Sequence, residues 1–158
     1  MGDVIEFRGG LADAYDEYGR ACAARRRENE AYLDEIEGWL ERSGLAAATI
    51  RRHVTNTEFY LNTYLLREDA LPMEEGCRRL DDFLGYFFIV KCMWSTPSTA
   101  RSYAASLKKL YRCMLELGHI GRGSYGELLE SIRLGRDEWV EACERYNAGE
   151  SFEDVFLF

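Results

Sequence analysis

Proline is nearly missing from this chain. Its 158 residues hold only Pro72 and Pro97, so almost nothing along it removes a backbone donor or breaks a helical ladder. Long apolar runs are missing too. A membrane span needs about 18 consecutive apolar residues, and the nearest approach, Phe83 to Met93, is short and contains Lys91. The opening stretch, Met1 to Arg8, carries Asp3 and Glu6 and lacks the cationic start and apolar core of a signal peptide. These absences predict no membrane contact and a cytoplasmic location. Histidine occurs twice, at His53 and His119. The five cysteines, Cys22, Cys77, Cys92, Cys113 and Cys143, never stand in C-x-x-C or C-x-x-H spacing, which argues against a zinc site. They read as reduced thiols on helices, in or near the core. No glycine-rich phosphate loop of the GxxxxGK or GxGxxG kind occurs, and no serine or cysteine nucleophile has a base beside it in sequence. The expectation is no cofactor, no metal and no enzymatic activity.

What is present describes a globular chain. It is 47% apolar, 13% aromatic and 30% charged, a composition far from disorder, and its length suits a single domain over residues 1–158 that needs no disulfide or metal to hold it. The net charge is −8, which disfavours nonspecific nucleic-acid binding by the whole molecule, because such binding is driven by cations that displace counterions from phosphate. The charge is unevenly spread. Between Ala46 and Gly121 there are ten Lys and Arg against eight Asp and Glu. The acid is concentrated in the two flanks.

Apolar periodicity predicts an all-α protein, a compact bundle of about five to six helices. A loose start over residues 1–10 ends at Gly9-Gly10. A helix follows from Leu11 to Arg42, with a break near Arg27, an apolar stripe at Tyr32, Leu33, Ile36, Trp39 and Leu40, and a stop at Ser43-Gly44. A second helix covers about Ala46 to Arg67, and Leu71-Pro72 interrupts the chain. The third, about Met73 to Met93, is apolar around most of its circumference beyond Phe83 and reads as the buried centre. Thr96 caps a fourth helix with Pro97 in its first position, running to Leu117 and stopped by Gly118. Ser124-x-x-Glu127 has the form of a capping box opening a fifth helix, with a kink at Gly135. The tail, Ser151 to Phe158, puts four large apolar residues at an acidic end.

Two stretches resemble a known pattern. One is Trp39-Leu-Glu-Arg-Ser-Gly-Leu45 followed by Thr49, Ile50, His53 and the run to Tyr64. The other is Asp82-Phe-Leu84, then Ser95-Thr-Pro-Ser-Thr-Ala-Arg101, Leu107-Lys-Lys-Leu-Tyr111 and Leu115-Glu-Leu-Gly-His-Ile120. Over residues 32–120 the chain resembles the SAM-like N-terminal core-binding domain of phage integrases and other tyrosine recombinases. Residues 1–31 then form an N-terminal helical extension, and residues 121–158 a C-terminal helix and apolar tail. The serine usual at the turn is Ala46 here, so that cap is missing. The family's catalytic domain, with its arginine, His-x-x-Arg pair and nucleophilic tyrosine, has no counterpart. His119-Ile-Gly-Arg122 spells one fragment of it, but in a glycine-punctuated link with no room for the rest.

The resemblance implies a noncatalytic, integrase-like module that lays helices against duplex DNA, as an accessory to recombination. The cations at matching places are Arg51, Arg52, Arg101, Lys108, Lys109 and Arg112, able to meet phosphates. The competing expectation is an acidic protein-interaction module without DNA affinity, a homodimer or a DNA mimic, using Phe152, Phe156 and Phe158 on a partner or a second copy. The same tail also suits docking on its own bundle. Arg25-Arg26-Arg27 lies beside Glu28 and Glu30 and reads as intrahelical ion pairing. The carboxylates Asp13, Asp16, Glu17, Asp34, Glu35, Glu37 and Glu41 read as solvated helix faces.

Overall fold

The computed structural model describes residues 2–157, with side chains described from Gly10 to Leu157. Every regular element among them is helical. In chain order these are α1 (Gly2–Arg42), α2 (Ala47–Glu58) continuing into a π-helical stretch (Phe59–Tyr64), a 3₁₀ segment (Met73–Arg78), and α3 (Leu80–Asp82). A second π stretch (Phe83–Phe87) joins α3 to α4 (Phe88–Lys91). Then come α5 (Pro97–Glu116), α6 (Arg122–Asn147) and the short α7 (Phe152–Phe156).

Helix α5 packs most extensively on α6, then on α2 and α1, and α6 in turn packs on the 3₁₀ segment, α3, the second π stretch, α4 and α7. The inner face of α5, Tyr103, Leu107, Leu110, Tyr111 and Met114, is buried, as are Ile36 and Leu40 of α1 and Leu128 and Trp139 of α6. An aromatic nucleus of Tyr60, Tyr64, Phe83 and Phe88 fills the centre at 0% exposure. Phe83 meets Tyr60 edge-on at 4.9 Å between ring centroids, an arrangement that matches ring edge to ring face.

Several boundaries differ from expectation. Helix α1 starts at Gly2, so the loose start over residues 1–10 is corrected: the glycine pair lowers helix propensity but leaves the N–H ladder intact. Nor does α1 break near Arg27. Its middle is fastened to the end of the second helical run, where Arg25 Nε donates to the Ala70 carbonyl at 3.1 Å and Asn29 Nδ2 donates to Asn62 Oδ1 at 2.8 Å.

The expected third helix is divided. Met73–Arg78 is a 3₁₀ turn clamped from inside by two fully buried tyrosines. Tyr111 donates to the Met73 carbonyl at 2.7 Å and Tyr60 to the Gly76 carbonyl at 2.6 Å. A Cβ on Gly76 would overlap the Tyr111 hydroxyl and come within 2.8 Å of the Tyr60 ring.

The ends of α5 follow the sequence. Thr96 accepts from Thr99 N at 3.0 Å while Thr99 Oγ1 accepts from Thr96 N at 2.8 Å, a reciprocal cap. At its other end Gly118 takes φ +81° and His119 N reaches back to the Met114 carbonyl at 2.9 Å, a helix stop that favours glycine. Ala46 caps α2 with no side-chain bond, as its methyl requires. The predicted capping box at Ser124 does not form. Helix α6 already begins at Arg122 with Gly121 as its uncapped N-terminus, so Ser124 lies inside the first turn. Helix α6 runs unbroken through Gly135. This glycine is buried because the Trp139 ring occupies the space a Cβ would need, and that indole donates to Asp81 Oδ1 at 2.8 Å.

Candidate nucleic-acid interface

Helices α2 and α5 run antiparallel, and a polar cluster between them sets their register. His53 and Asn56 stand one turn apart on α2, and Ser102 and Ser106 one turn apart on α5. Asn56 Nδ2 donates to Ser106 Oγ at 3.0 Å and to Ser102 Oγ at 3.2 Å. His53 Nδ1 lies 2.7 Å from Ser106 Oγ. With Asn56 donating to Ser106, the serine hydroxyl is free to donate to His53 Nδ1. Burial, followed by the nearby Arg52 and Lys109 charges, holds the His53 pKa below the usual histidine value. Protonation of the imidazole is therefore disfavoured beside two cations, one from each helix.

Above this cluster the surface is cationic. Arg52 joins Ser98, Thr99, Ser102 and Ala105 around a groove of about 350 Å³. Lys108, Lys109 and Arg112 line the next groove along α5, with Trp39 and Tyr125. Arg101, Lys108 and Arg112 are exposed, and Lys109 is half-buried. No Asp or Glu occurs on α2 from Ala47 to Thr57, or on α5 from Pro97 to Leu115. In a chain of net charge −8, these two packed helices carry acid only at their ends, Glu58 and Glu116, and Asp137 of α6 borders the groove beside Lys108.

The six sequence-predicted cations do not all converge. Arg52, Lys108 and Lys109 share the face, with Arg101 farther along α5. Arg112 is diverted into an ion pair with Glu116 at 3.1 Å, and the same carboxylate accepts from Trp39 Nε1 at 2.6 Å. Arg51 turns to the other side of α2, toward a groove it shares with Glu37 and Glu41. Sequence reasoning missed Arg133 and Arg136 of α6, which line a groove with Lys108. Arg133 is paired with Glu130 at 2.6 Å. Arg136 has no ion pair among the described residues. Their neighbours Glu130 and Asp137 conceal them in a linear reading, and only the packing of α6 on α5 brings Arg136 to Lys108.

The remaining singled-out residues serve elsewhere. His119 Nε2 meets Glu35 Oε2 at 2.8 Å and its ring lies edge-on to Tyr32, so it fastens the α5–α6 link to α1. Arg25 pairs with Glu28 at 3.0 Å. In the tail, Ser151 Oγ accepts from Asp154 N at 3.1 Å and opens α7, whose Phe156 packs on Tyr86 and Tyr146. Phe152 also meets Tyr86 and stays 37% exposed. Phe158 lies outside the described residues. Beneath α7, Asp81, Asp82, Glu138 and Glu141 border a cleft of about 570 Å³ floored by Trp139. Among the described residues no group of His, Cys, Asp or Glu is placed to hold a metal ion, and no helix is long and apolar enough to cross a membrane. No family model, no curated protein and no solved structure matches this chain.

Proposed function

We propose that this chain is a noncatalytic helical module of the integrase core-binding kind that holds duplex nucleic acid through phosphate contacts from α2 and α5, as an accessory to recombination. The observation that carries the reading is the cationic character of α2 and α5: Arg52, Lys108 and Lys109 border neighbouring grooves on two packed helices, with Arg101 on the same helix as the lysines, and no Asp or Glu occurs from Ala47 to Thr57 or from Pro97 to Leu115. Charge kept apart in this way, in an acidic protein, gives phosphates a local attraction that the net charge hides. The small side chains Ser98, Ser102 and Ala105 let a phosphate backbone approach the helix surface closely. The noncatalytic part of the reading is supported by Ser106. Ser106 is 0% exposed and its hydroxyl is committed to Asn56 and His53, so this serine–histidine pair serves the helix register.

Fluorescence anisotropy of a labelled duplex, titrated at stepped salt concentrations, tests the proposal. Four to five phosphate contacts give a slope of log affinity against log salt of about −4. The double variant Lys108→Glu, Lys109→Glu removes two of those contacts, and the slope falls by about 2. No anisotropy change with any duplex at low salt would sink the reading.

A further inference from the structure

Three helices meet around a second groove, beside the one that holds Arg52. Trp39 of α1, Tyr125 of α6 and Ala105, Lys108, Lys109 and Arg112 of α5 enclose about 340 Å³. Trp39 is only half-buried, so part of its ring faces this space. Its orientation is fixed. The indole Nε1 donates to Glu116 Oε2 at 2.6 Å, and the same carboxylate pairs with Arg112 at 3.1 Å. The acid adjoining the groove is thereby balanced by a cation, and the tryptophan ring is held in place before anything binds. Ala105 is exposed and contributes only a methyl. It also borders the neighbouring groove with Arg52, Ser98 and Ser102, so the two grooves adjoin along α5.

The lining selects its occupant. Lys108 is exposed and Lys109 half-buried. Both repel a cationic guest, and a wholly apolar guest would strip water from their ammonium groups without return. A second copy of the same face would bring like charges together. What fits is an anion with a flat apolar body. The flat body lies on the indole and the anion meets the lysines. A nucleotide whose base has left the stack has both parts. In a continuous duplex the bases are held in the stack and cannot reach the ring.

We propose that this groove takes one unpaired base of a nucleic-acid strand, stacked on Trp39, with its flanking phosphates on Lys108 and Lys109. The inference rests on the nucleic-acid reading and narrows it: the preferred ligand is a duplex interrupted by an unpaired nucleotide. The strand runs from Arg52 past Ala105 to the base site, and Trp39 is the residue that tells an interrupted duplex from a continuous one.

Fluorescence anisotropy of the full chain at one fixed salt concentration tests it with three labelled DNAs of one sequence: the continuous duplex, the duplex with one bulged adenine, and that bulge with an abasic sugar. Stacking on an aromatic ring makes the bulged adenine bind about tenfold tighter than the continuous duplex, and the abasic bulge binds like the continuous duplex. In Trp39→Leu the preference disappears, and Trp39→Phe, which keeps a ring, retains part of it. Ala105→Leu fills the groove from an exposed helical position and also removes the preference, so it decides the matter should Trp39→Leu fail to fold. Equal binding of bulge and duplex by the unaltered chain, an abasic bulge that binds as tightly as adenine, or a preference that survives in Trp39→Leu or Ala105→Leu overturns the proposal. Adenosine monophosphate that competes as well as the unlabelled bulged duplex overturns the assignment to a strand. Duplex binding without a preference leaves the nucleic-acid reading standing alone. Binding of the bulge without the continuous duplex keeps the base site and removes the duplex reading. No binding of any of the three removes both.

Discussion

Ser106 Oγ sits 2.7 Å from His53 Nδ1 in the buried seam between α2 and α5, so the register of the basic face is tied to the protonation state of one imidazole. Burial, then Arg52 and Lys109, lowers the His53 pKa in the folded protein. The unfolded chain holds the ordinary value near 6.5. Between the two values the unfolded state binds the proton that the folded state refuses, so stability falls as pH drops. The contribution is intact above about pH 6.5 and is lost as pH falls through the folded-state pKa. Urea unfolding at a series of pH values below neutrality shows a decline in wild type that His53→Gln lacks. Equal slopes in the two proteins would remove His53 as the cause.

Gly76 predicts a large effect from one methyl. Its carbonyl accepts the Tyr60 hydroxyl at 2.6 Å and a Cβ would overlap the Tyr111 hydroxyl. Both tyrosines are 0% exposed and have nowhere to move. Overpacking of this kind costs about 1–3 kcal/mol, and displacing a buried hydroxyl from its acceptor adds about 1–3 kcal/mol more. Gly76→Ala should therefore lower chemical-denaturation stability by several kcal/mol, while Tyr111→Phe, which relieves the overlap, should recover part of that loss in the double variant. Additive losses would show that the clash lies elsewhere.

The stripes of α1, α2, α5 and α6 were legible in the sequence because a 3.6-residue apolar period is a local property. Ile36, Leu40, Leu61, Leu107, Leu110 and Leu128 are all fully buried, where their spacing put them. Thr96, Pro97, Gly44 and Gly118 were legible for the same reason, since caps and stops are decided within a few residues. What failed depends on distant contacts. Nothing near Met73 shows that Tyr60 and Tyr111 will clamp it into a tight turn. Nothing near Gly135 shows that Trp139 needs its missing Cβ. The basic face was half legible: the cations of α2 and α5 were visible, but Arg112 pairs with Glu116, Arg51 borders a different groove beside Glu37 and Glu41, and Arg136 joins through packing alone.

The cysteines give a prediction in chemical reactivity. Burial pushes the Cys77 thiol up to about 12 and the Cys92 and Cys113 thiols up to about 11. The thiolate is the reactive form, so at neutral pH these thiols stay protonated and shielded. A disulfide reagent at pH 7.5 should modify the native protein slowly and all five cysteines at once in denaturant. Rapid modification of Cys77 in the native protein would contradict its burial.

The C-terminal helix supplies the last test, because cis docking and partner docking predict different losses. Phe156 is half-buried between Tyr86 and Tyr146, and Arg145 Nη2 donates to the Asp154 carbonyl at 3.1 Å. Fully burying a phenylalanine is worth about 1.5–3 kcal/mol, so a half-buried ring with one charged hydrogen bond beside it contributes about 1–2 kcal/mol. A chain ending at Gly149 should unfold at lower denaturant by that amount, and Phe156→Ala should account for most of it. Its number of chains per sedimenting particle should equal that of the full chain, since the contact is made within one molecule. A fall in that number with unchanged stability would mean that the tail binds a second copy in solution.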